Sequence, residues 1–154
     1  MLPAKLGLIS DTHGLLRPEA VAALQGSELI IHAGDVGKPE ILDELRRVAP
    51  VVAVRGNIDT EPWAERLPLT ATVEALSARI LVIHNVHDVK TDSGFDIVIS
   101  GHSHKPGQRE SRGVLYLNPG SAGPRRFKLP ITVARVDLGR HPWRAEFVQL
   151  EGTS

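Results

Sequence analysis

At 154 residues the chain is long enough to bury one core of ordinary domain size. Its 18 Lys plus Arg balance 18 Asp plus Glu, and only 4% of residues are aromatic, so neither bulk positive charge nor a base-stacking platform supports general nucleic-acid binding. Cysteine is absent, which excludes disulfides and thiolate zinc sites and fits a reducing compartment.

The opening residues MLPAKLGLISDTHG hold one Lys and an apolar run too short for a signal peptide. With no stretch of membrane-spanning length, the expected location is the cytoplasm and no membrane partner is expected. AKLGLIS (4–10) predicts a short buried strand, followed by the loop DTHG. PEAVAALQG (18–26) predicts a helix, with Pro18 in its first turn and Gly26 at its stop. SELIIHAGD is a second strand, KPEILDELRRV (38–48) a second amphipathic helix, and PVVAVRGN a third strand ending in a Gly-Asn turn. Strands that alternate with helix-length crossovers and carry near-continuous apolar runs imply a parallel sheet. The second half changes character. LTATVEAL, ARILVIHN, FDIVISGH and VLYLNPGS follow one another with little helical sequence between them, and 85–94 has no readable pattern. ITVARVDL and RAEFVQL alternate apolar and polar residues, as an antiparallel closing hairpin does. The expected fold class is α/β: two packed mixed sheets flanked by helices, in one domain over 1–154.

Residues of metal-ligand type recur at one kind of position. Asp11 and His13 lie just beyond the first strand, Asp35 beyond the second, Asn57 beyond the third, His84 beyond ARILVI, and His102 and His104 beyond FDIVIS. In open α/β sheets ligands bind outside the carboxyl ends of the strands, so five strand ends would deliver this set to one edge. Four imidazoles, two carboxylates and one carboxamide suit Mn, Fe, Ni or Zn. Seven side chains exceed the needs of one open catalytic ion and match two ions with a shared carboxylate. Such a pair can clamp the attacking and leaving oxygens of an in-line displacement at phosphorus.

The ordered set DTH, GD, GN, a lone His after a strand, and GHSH resembles the calcineurin-like metallophosphoesterase superfamily. The short length and NPGS at 118–121 are similar to its small bacterial and archaeal phosphodiesterase branch, over Leu6 to about Leu138. The resemblance implies an α/β/β/α sandwich and a phosphodiesterase whose nucleophile is a hydroxide bridging two divalent ions, with manganese favoured. It also implies that Asp11, His13 and His104 hold one ion, that Asn57, His84 and His102 hold the other, and that Asp35 bridges. Catalysis would fall on Asp35, Asn57 and His102. The two histidines of GHSH would then serve different ions, with Gly101 expected to turn the backbone sharply between them. The implied partner is a small phosphate ester, and a homo-oligomer is compatible with the reading. The resemblance also brings a rival reading, a non-catalytic interaction module on the same fold, similar to the retromer component.

Plainer roles compete for several residues. Asp11 and Asp35 each precede a helix-like stretch and suit N-caps, and Asn57 suits a turn. His32, inside its strand, reads as a hydrogen-bonded core histidine. His141 reads as surface, Arg125 and Arg126 as a solvated pair, and His87 as a loop residue open to either the metals or water. The chain also departs from the resembled pattern. Ile58 follows Asn57 where many relatives carry a proton-donating His, and His84-Asn85-Val86 replaces His-Gly-His. The segment between His84 and His102 is short for the helix that relatives place there. His87 or Asp59 would have to relieve the missing donor, or a metal-bound water would.

Overall fold

The computed structural model describes residues 2–126 and 128–150. Ten strands and two α-helices follow in the order β1 (Lys5–Ile9), α1 (Pro18–Ala23), β2 (Leu29–His32), α2 (Pro39–Arg46), β3 (Val51–Ala53), β4 (Thr70–Ala75), β5 (Ala78–Ile83), β6 (Ile97–Ile99), β7 (Gly107–Ser111), β8 (Val114–Asn118), β9 (Thr132–Asp137) and β10 (Ala145–Gln149). They build two five-stranded sheets, ordered β10-β9-β1-β2-β3 and β4-β5-β6-β8-β7.

Both sheets are mixed. β1, β2 and β3 run parallel, and the hairpin β9–β10 closes that sheet antiparallel to β1. β5, β6 and β8 run parallel in the second sheet, with β4 and β7 antiparallel at its edges. Side chains alternate across a strand, so each sheet sorts its residues into two layers. Leu6, Leu8, Leu29 and Ile31 of the first sheet meet Val73, Ile80, Val82, Ile97 and Ile99 of the second, forming the core between them. The opposite parity of the first sheet, Ile9 and Ile30, packs under Ala20 and Leu24 of the α1 region and Ile41, Leu42 and Leu45 of α2. Burial on both faces is why these strands read as unbroken apolar runs.

Both helices begin with Pro at the first turn, where its missing N–H costs nothing. Their N-caps are Arg17 and Lys38, without a side-chain cap, so the capping roles considered for Asp11 and Asp35 do not occur. The outer layer differs on the second sheet. Leu81, Ile83, Val98 and Val114 are covered there by Val89 and Phe95 from the β5–β6 connection, which contains only a short 3-10 turn at Val86–Asp88. β7 was not expected from the sequence. GQRES carries no apolar alternation because the strand is an exposed edge that pairs only with β8. Among the described residues no helix is long and apolar enough to cross a membrane.

Candidate metal centre

The parallel strands of both sheets end at the same place. β1, β2 and β3 deliver Asp11, His13, Asp35 and Asn57, while β5 and β6 deliver His84, His102 and His104. The loops continue the strand pairing past the strand ends: Asp11 N–H donates to Gly34 O at 2.9 Å, His13 N–H to Asp35 O at 2.9 Å and Gly101 N–H to His84 O at 2.9 Å. Five of the seven residues stand in the left-handed region: Asp11 (φ 55°), His13 (47°), Asp35 (56°), His102 (69°) and His104 (63°). That conformation costs a non-glycine residue about 1 kcal/mol or more and collects at functional sites. Its effect here is to reverse each side chain toward a common point instead of continuing along its strand.

Around the fully buried Asp11, three imidazoles aim at one oxygen. Oδ1 lies 3.4 Å from His104 Nε2, 3.8 Å from His13 Nε2 and 3.9 Å from His84 Nε2. These separations exceed a hydrogen bond, and Asp11 Oδ1 is buried without a hydrogen-bond partner. Asp35 Oδ2 lies 3.5 Å from His13 Nε2 and 3.2 Å from His84 Nε2, between two histidines of different strands. On the other side Asn57 Oδ1 approaches His84 Nε2 at 3.0 Å and His102 Nδ1 at 3.2 Å. The rings pair as His13 with His104 at 5.4 Å and His84 with His102 at 5.2 Å, so the two histidines of GHSH do separate to different neighbours.

Burial works to raise both carboxyl pKa values, but the surrounding donors win. His104, His13 and Ser10 hold Asp11 far below the usual carboxylate range, and His84 with the Ile58 N–H lowers Asp35. For His84, burial favours the neutral ring, yet Asp35 outweighs it and raises the pKa. With His84 Nδ1 2.7 Å from Ala33 O, the ring proton belongs there, which turns the Nε2 lone pair toward Asp35 and Asn57. A nitrogen lone pair facing acceptor oxygens requires a positive charge between them. A proton supplies one; a divalent ion fits the same donor set. Asp11, His13 and His104, and likewise Asp11, Asp35 and His84, bring their ligand atoms within 4.8 Å of one another.

Backbone N–H groups and residues outside the expected set hold it in place. Ser10 Oγ and the His102 N–H donate to Asp11 Oδ2 at 2.7 and 3.1 Å, and the Ile58 N–H donates to Asp35 Oδ1 at 3.0 Å. Asp59, only 4% exposed, accepts from the N–H groups of Val36, Gly37 and Gly56 at 2.9 to 3.1 Å, tying the β2 and β3 loops together. Both its oxygens are engaged inward, so it does not serve as the alternative proton donor considered from the sequence. Asn118 Nδ2 donates to Gly101 O at 3.0 Å and Ser103 Oγ at 3.1 Å, and Ser121 Oγ to Asp11 O at 3.1 Å, so the NPGS segment braces both GHSH and DTH. No spacing rule marks these braces. Their only signal is a polar residue adjoining a ligand-type motif.

The part expected of Gly101 needs correction. Its backbone is not left-handed; the turning is done by His102 and His104 themselves. Gly101 is needed for close approach, because a Cβ there would collide with Ser10 Oγ and Asp11 Oδ2, and one at Gly56 would collide with Asp35. His32 is the core histidine expected: Nδ1 accepts from the Gly34 N–H at 3.1 Å, Nε2 meets Thr12 Oγ1 at 3.0 Å, and Thr12 donates on to Val36 O at 2.8 Å. His87 is exposed in the 3-10 turn, and His141, Arg125 and Arg126 are exposed as well.

The sequence pattern of the calcineurin-like phosphoesterase superfamily domain matches residues 4–141. This chain belongs to that superfamily. It is 40% identical over 148 residues to a protein named "Probable metallophosphoesterase" from Methanothermobacter thermautotrophicus, covering 86% of each chain. Among solved structures it is similar to an archaeal phosphodiesterase, with TM-score 0.78 and 26% identity over 94% of this chain and 99% of the other. It also shares the fold of Vps29 from Chaetomium thermophilum, with TM-score 0.74 and 20% identity over 95% of this chain and 97% of the other. The buried Asp and His groups fit the metal that the superfamily's name implies.

A pH dependence follows from His32. Burial lowers its pKa from the ordinary 6.5 to about 4, and an Nδ1 already accepting an N–H has no room for a second proton. The unfolded chain therefore binds a proton between about pH 6.5 and 4 that the folded one refuses. His32 thus contributes stability that is complete above pH 6.5 and falls away by about 3 kcal/mol on acidification to pH 4. Urea unfolding of chelated protein across this range is expected to give a shallower loss with His32→Asn than with wild type.

Proposed function

We propose that the chain is a two-metal phosphoesterase acting on phosphodiesters from a single domain. Asp11, His13 and His104 hold one divalent ion, Asn57, His84 and His102 hold the second, and Asp35 bridges them. The observation that carries this reading is the convergence of three imidazole nitrogens on Asp11 Oδ1 at 3.4 to 3.9 Å with no hydrogen bond made. The imidazole and oxygen donors, with no thiolate present, suit Mn, Fe, Ni or Zn, and of these the family resemblance favours manganese. Bound divalent ions would supply charge stabilisation at phosphorus and a water acidic enough to attack near neutral pH.

The chain's own residues do the rest. Asp35, Asn57 and His102 carry the catalytic assignment. Two divalent ions against the Asp11 and Asp35 carboxylates leave a formal surplus of about two positive charges, which draws an anionic ester to a protein with no net charge. Ile58, 41% exposed, gives its N–H to Asp35 but no side-chain proton. The presence of all seven ligand-type side chains at one point favours this reading over a non-catalytic interaction module on the same fold.

Chelation is expected to abolish hydrolysis of a chromogenic phosphodiester, and added Mn²⁺ to restore it; full activity in metal-free protein refutes the two-metal reading. Asp35→Asn is expected to lower both metal stoichiometry and turnover more than Asn57→Asp, because the first removes charge shared by two ions while the second keeps an oxygen donor. Retention of two ions and normal turnover in Asp35→Asn would put the bridge elsewhere. General acid help is worth about 10²- to 10⁴-fold. Without it at position 58, wild-type rates are expected to fall steeply as the leaving group becomes more basic, and Ile58→His to flatten that slope. A shallow wild-type slope means another group already donates.

A further inference from the structure

The connection from β5 to β6 forms one wall of an open cleft of about 750 Å³ beside the candidate metal centre. Asn57, His84 and His102 line the cleft on the side of the centre, and Leu81 and Ile83 of β5 floor it. Asn85, Asp88, Lys90 and Thr91 line it from the connection. Little regular structure holds that wall. The 3-10 turn at Val86–Asp88 bonds within the connection, with the Asp88 N–H on Asn85 O at 3.0 Å and the Val89 N–H on Val86 O at 3.2 Å. The Ser93 N–H goes to Thr91 Oγ1 at 3.2 Å and the Phe95 N–H to Asp92 O at 3.1 Å, again inside the segment. Val89 and Phe95 add apolar contact with the outer face of the sheet, and Arg79 lies over the Phe95 ring, 4.8 Å from its centroid. Among the described residues a single hydrogen bond joins 85–95 to the rest of the protein: the Tyr116 hydroxyl donates to Asp92.

The fold aims Tyr116 at that carboxylate. Alternation along β8 turns Leu115 and Leu117 into the core between the sheets and Tyr116 to the outer face. Its cross-strand partner Arg109 lays a guanidinium 4.3 Å from the ring centroid, which fixes the plane of the ring. We propose that Tyr116 is a positioning residue whose hydroxyl, by holding Asp92, holds Lys90, Thr91 and the turn before them as the wall of the cleft. Its effect on substrate binding rests on the phosphoesterase reading; the latch itself does not. A tyrosine that only packed on the outer face would do no more than a phenylalanine there. The bond to Asp92, and then the Asp92 charge, also raise the phenol pKa, because an ionised phenol has no proton to donate and meets a like charge.

Tyr116 is the chain's single tyrosine, so ultraviolet titration of the phenol reads the latch directly. The phenol is expected to ionise above its ordinary range in wild type and at lower pH in Asp92→Ala; an unshifted wild-type phenol overturns the proposal. Tyr116→Phe removes the hydroxyl and keeps the ring under Arg109. In chelated protein it is expected to speed amide exchange of residues 86–91 by about three- to tenfold, the scale of one hydrogen bond, while the amides of β5 and β8 keep their protection. Adding Asp92→Ala to it is expected to change nothing further, since both substitutions remove the same bond. With Mn²⁺ present, KM for a chromogenic phosphodiester is expected to rise by a similar factor in Tyr116→Phe. Its kcat and metal stoichiometry are expected to hold, the mark of lost binding and not of a damaged centre. Unchanged exchange in Tyr116→Phe overturns the latch. Faster exchange with unchanged KM overturns the positioning role, and so does a fall in metal content. Wild type that hydrolyses no phosphodiester sinks the phosphoesterase reading, and exchange and titration then still decide the latch.

Discussion

Asp11 and Asp35 are folded into a place where water cannot solvate them, with their ligand atoms and that of His84 within 4.8 Å of one another. Two carboxylates so close and so buried repel each other and lose their hydration, a combination that ordinarily drives one of them to take a proton. Here both are held below their usual pKa instead. What tips the balance is donors from elements far apart in the chain: Ser10 and the His102 N–H on one carboxylate, the Ile58 N–H on the other, and imidazoles from β1, β5 and β6. The need to gather those donors dictates much of the architecture. Both sheets must end their parallel strands together, and the loops beyond must be fixed to within hydrogen-bond distance.

That fixing is achieved by carrying strand-like pairing into the loops. DTHG runs beside GDVG through three backbone hydrogen bonds, and the Ala122 N–H returns to Ser10 O at 3.0 Å, so the loop of β1 is gripped from both sides. The left-handed residues are tolerated inside this frame because neighbouring bonds over-determine them. Asp59 supplies the second tie, since three N–H groups from two loops converge on one carboxylate. Gly56 and Gly101 are then required for space, because any side chain at either position would enter the volume the carboxylates occupy.

The strand ends were legible in the sequence because burial on both faces leaves an apolar run that stops abruptly, and the seven ligand-type residues stand just after those stops. The hairpin β9–β10 was legible through the alternation of apolar and polar residues in ITVARVDL and RAEFVQL. β7 was not, because an exposed edge strand has no reason to alternate. Nor were the braces: a single Asp59 or Asn118 acts by where the chain brings it, and composition says nothing of that. The sharp turn that separates His102 from His104 was expected of Gly101, whereas the loop bonds hold the two histidines themselves in the left-handed region. The unreadable stretch 85–94 turned out to be a 3-10 turn and loop, whose Val89 packs against Leu81 and Ile83 on the outer face of β5.

One strand thus serves two layers. The inward residues of β5, Ile80 and Val82, belong to the core between the sheets; its outward residues, Leu81 and Ile83, floor the cleft; and His84, immediately after, enters the centre. On the proposed reading the first sheet supplies the negative charge that holds the ions, while the second supplies three imidazoles. Alternation separates these duties within a few residues. Leu81 and Ile83 pack on the outer face of β5 and Ile80 and Val82 on the inner one, so a change at either inner residue shifts the strand that aims His84. The geometry of the centre therefore depends on the inner face of this strand, where Ile80 and Val82 join the core between the sheets.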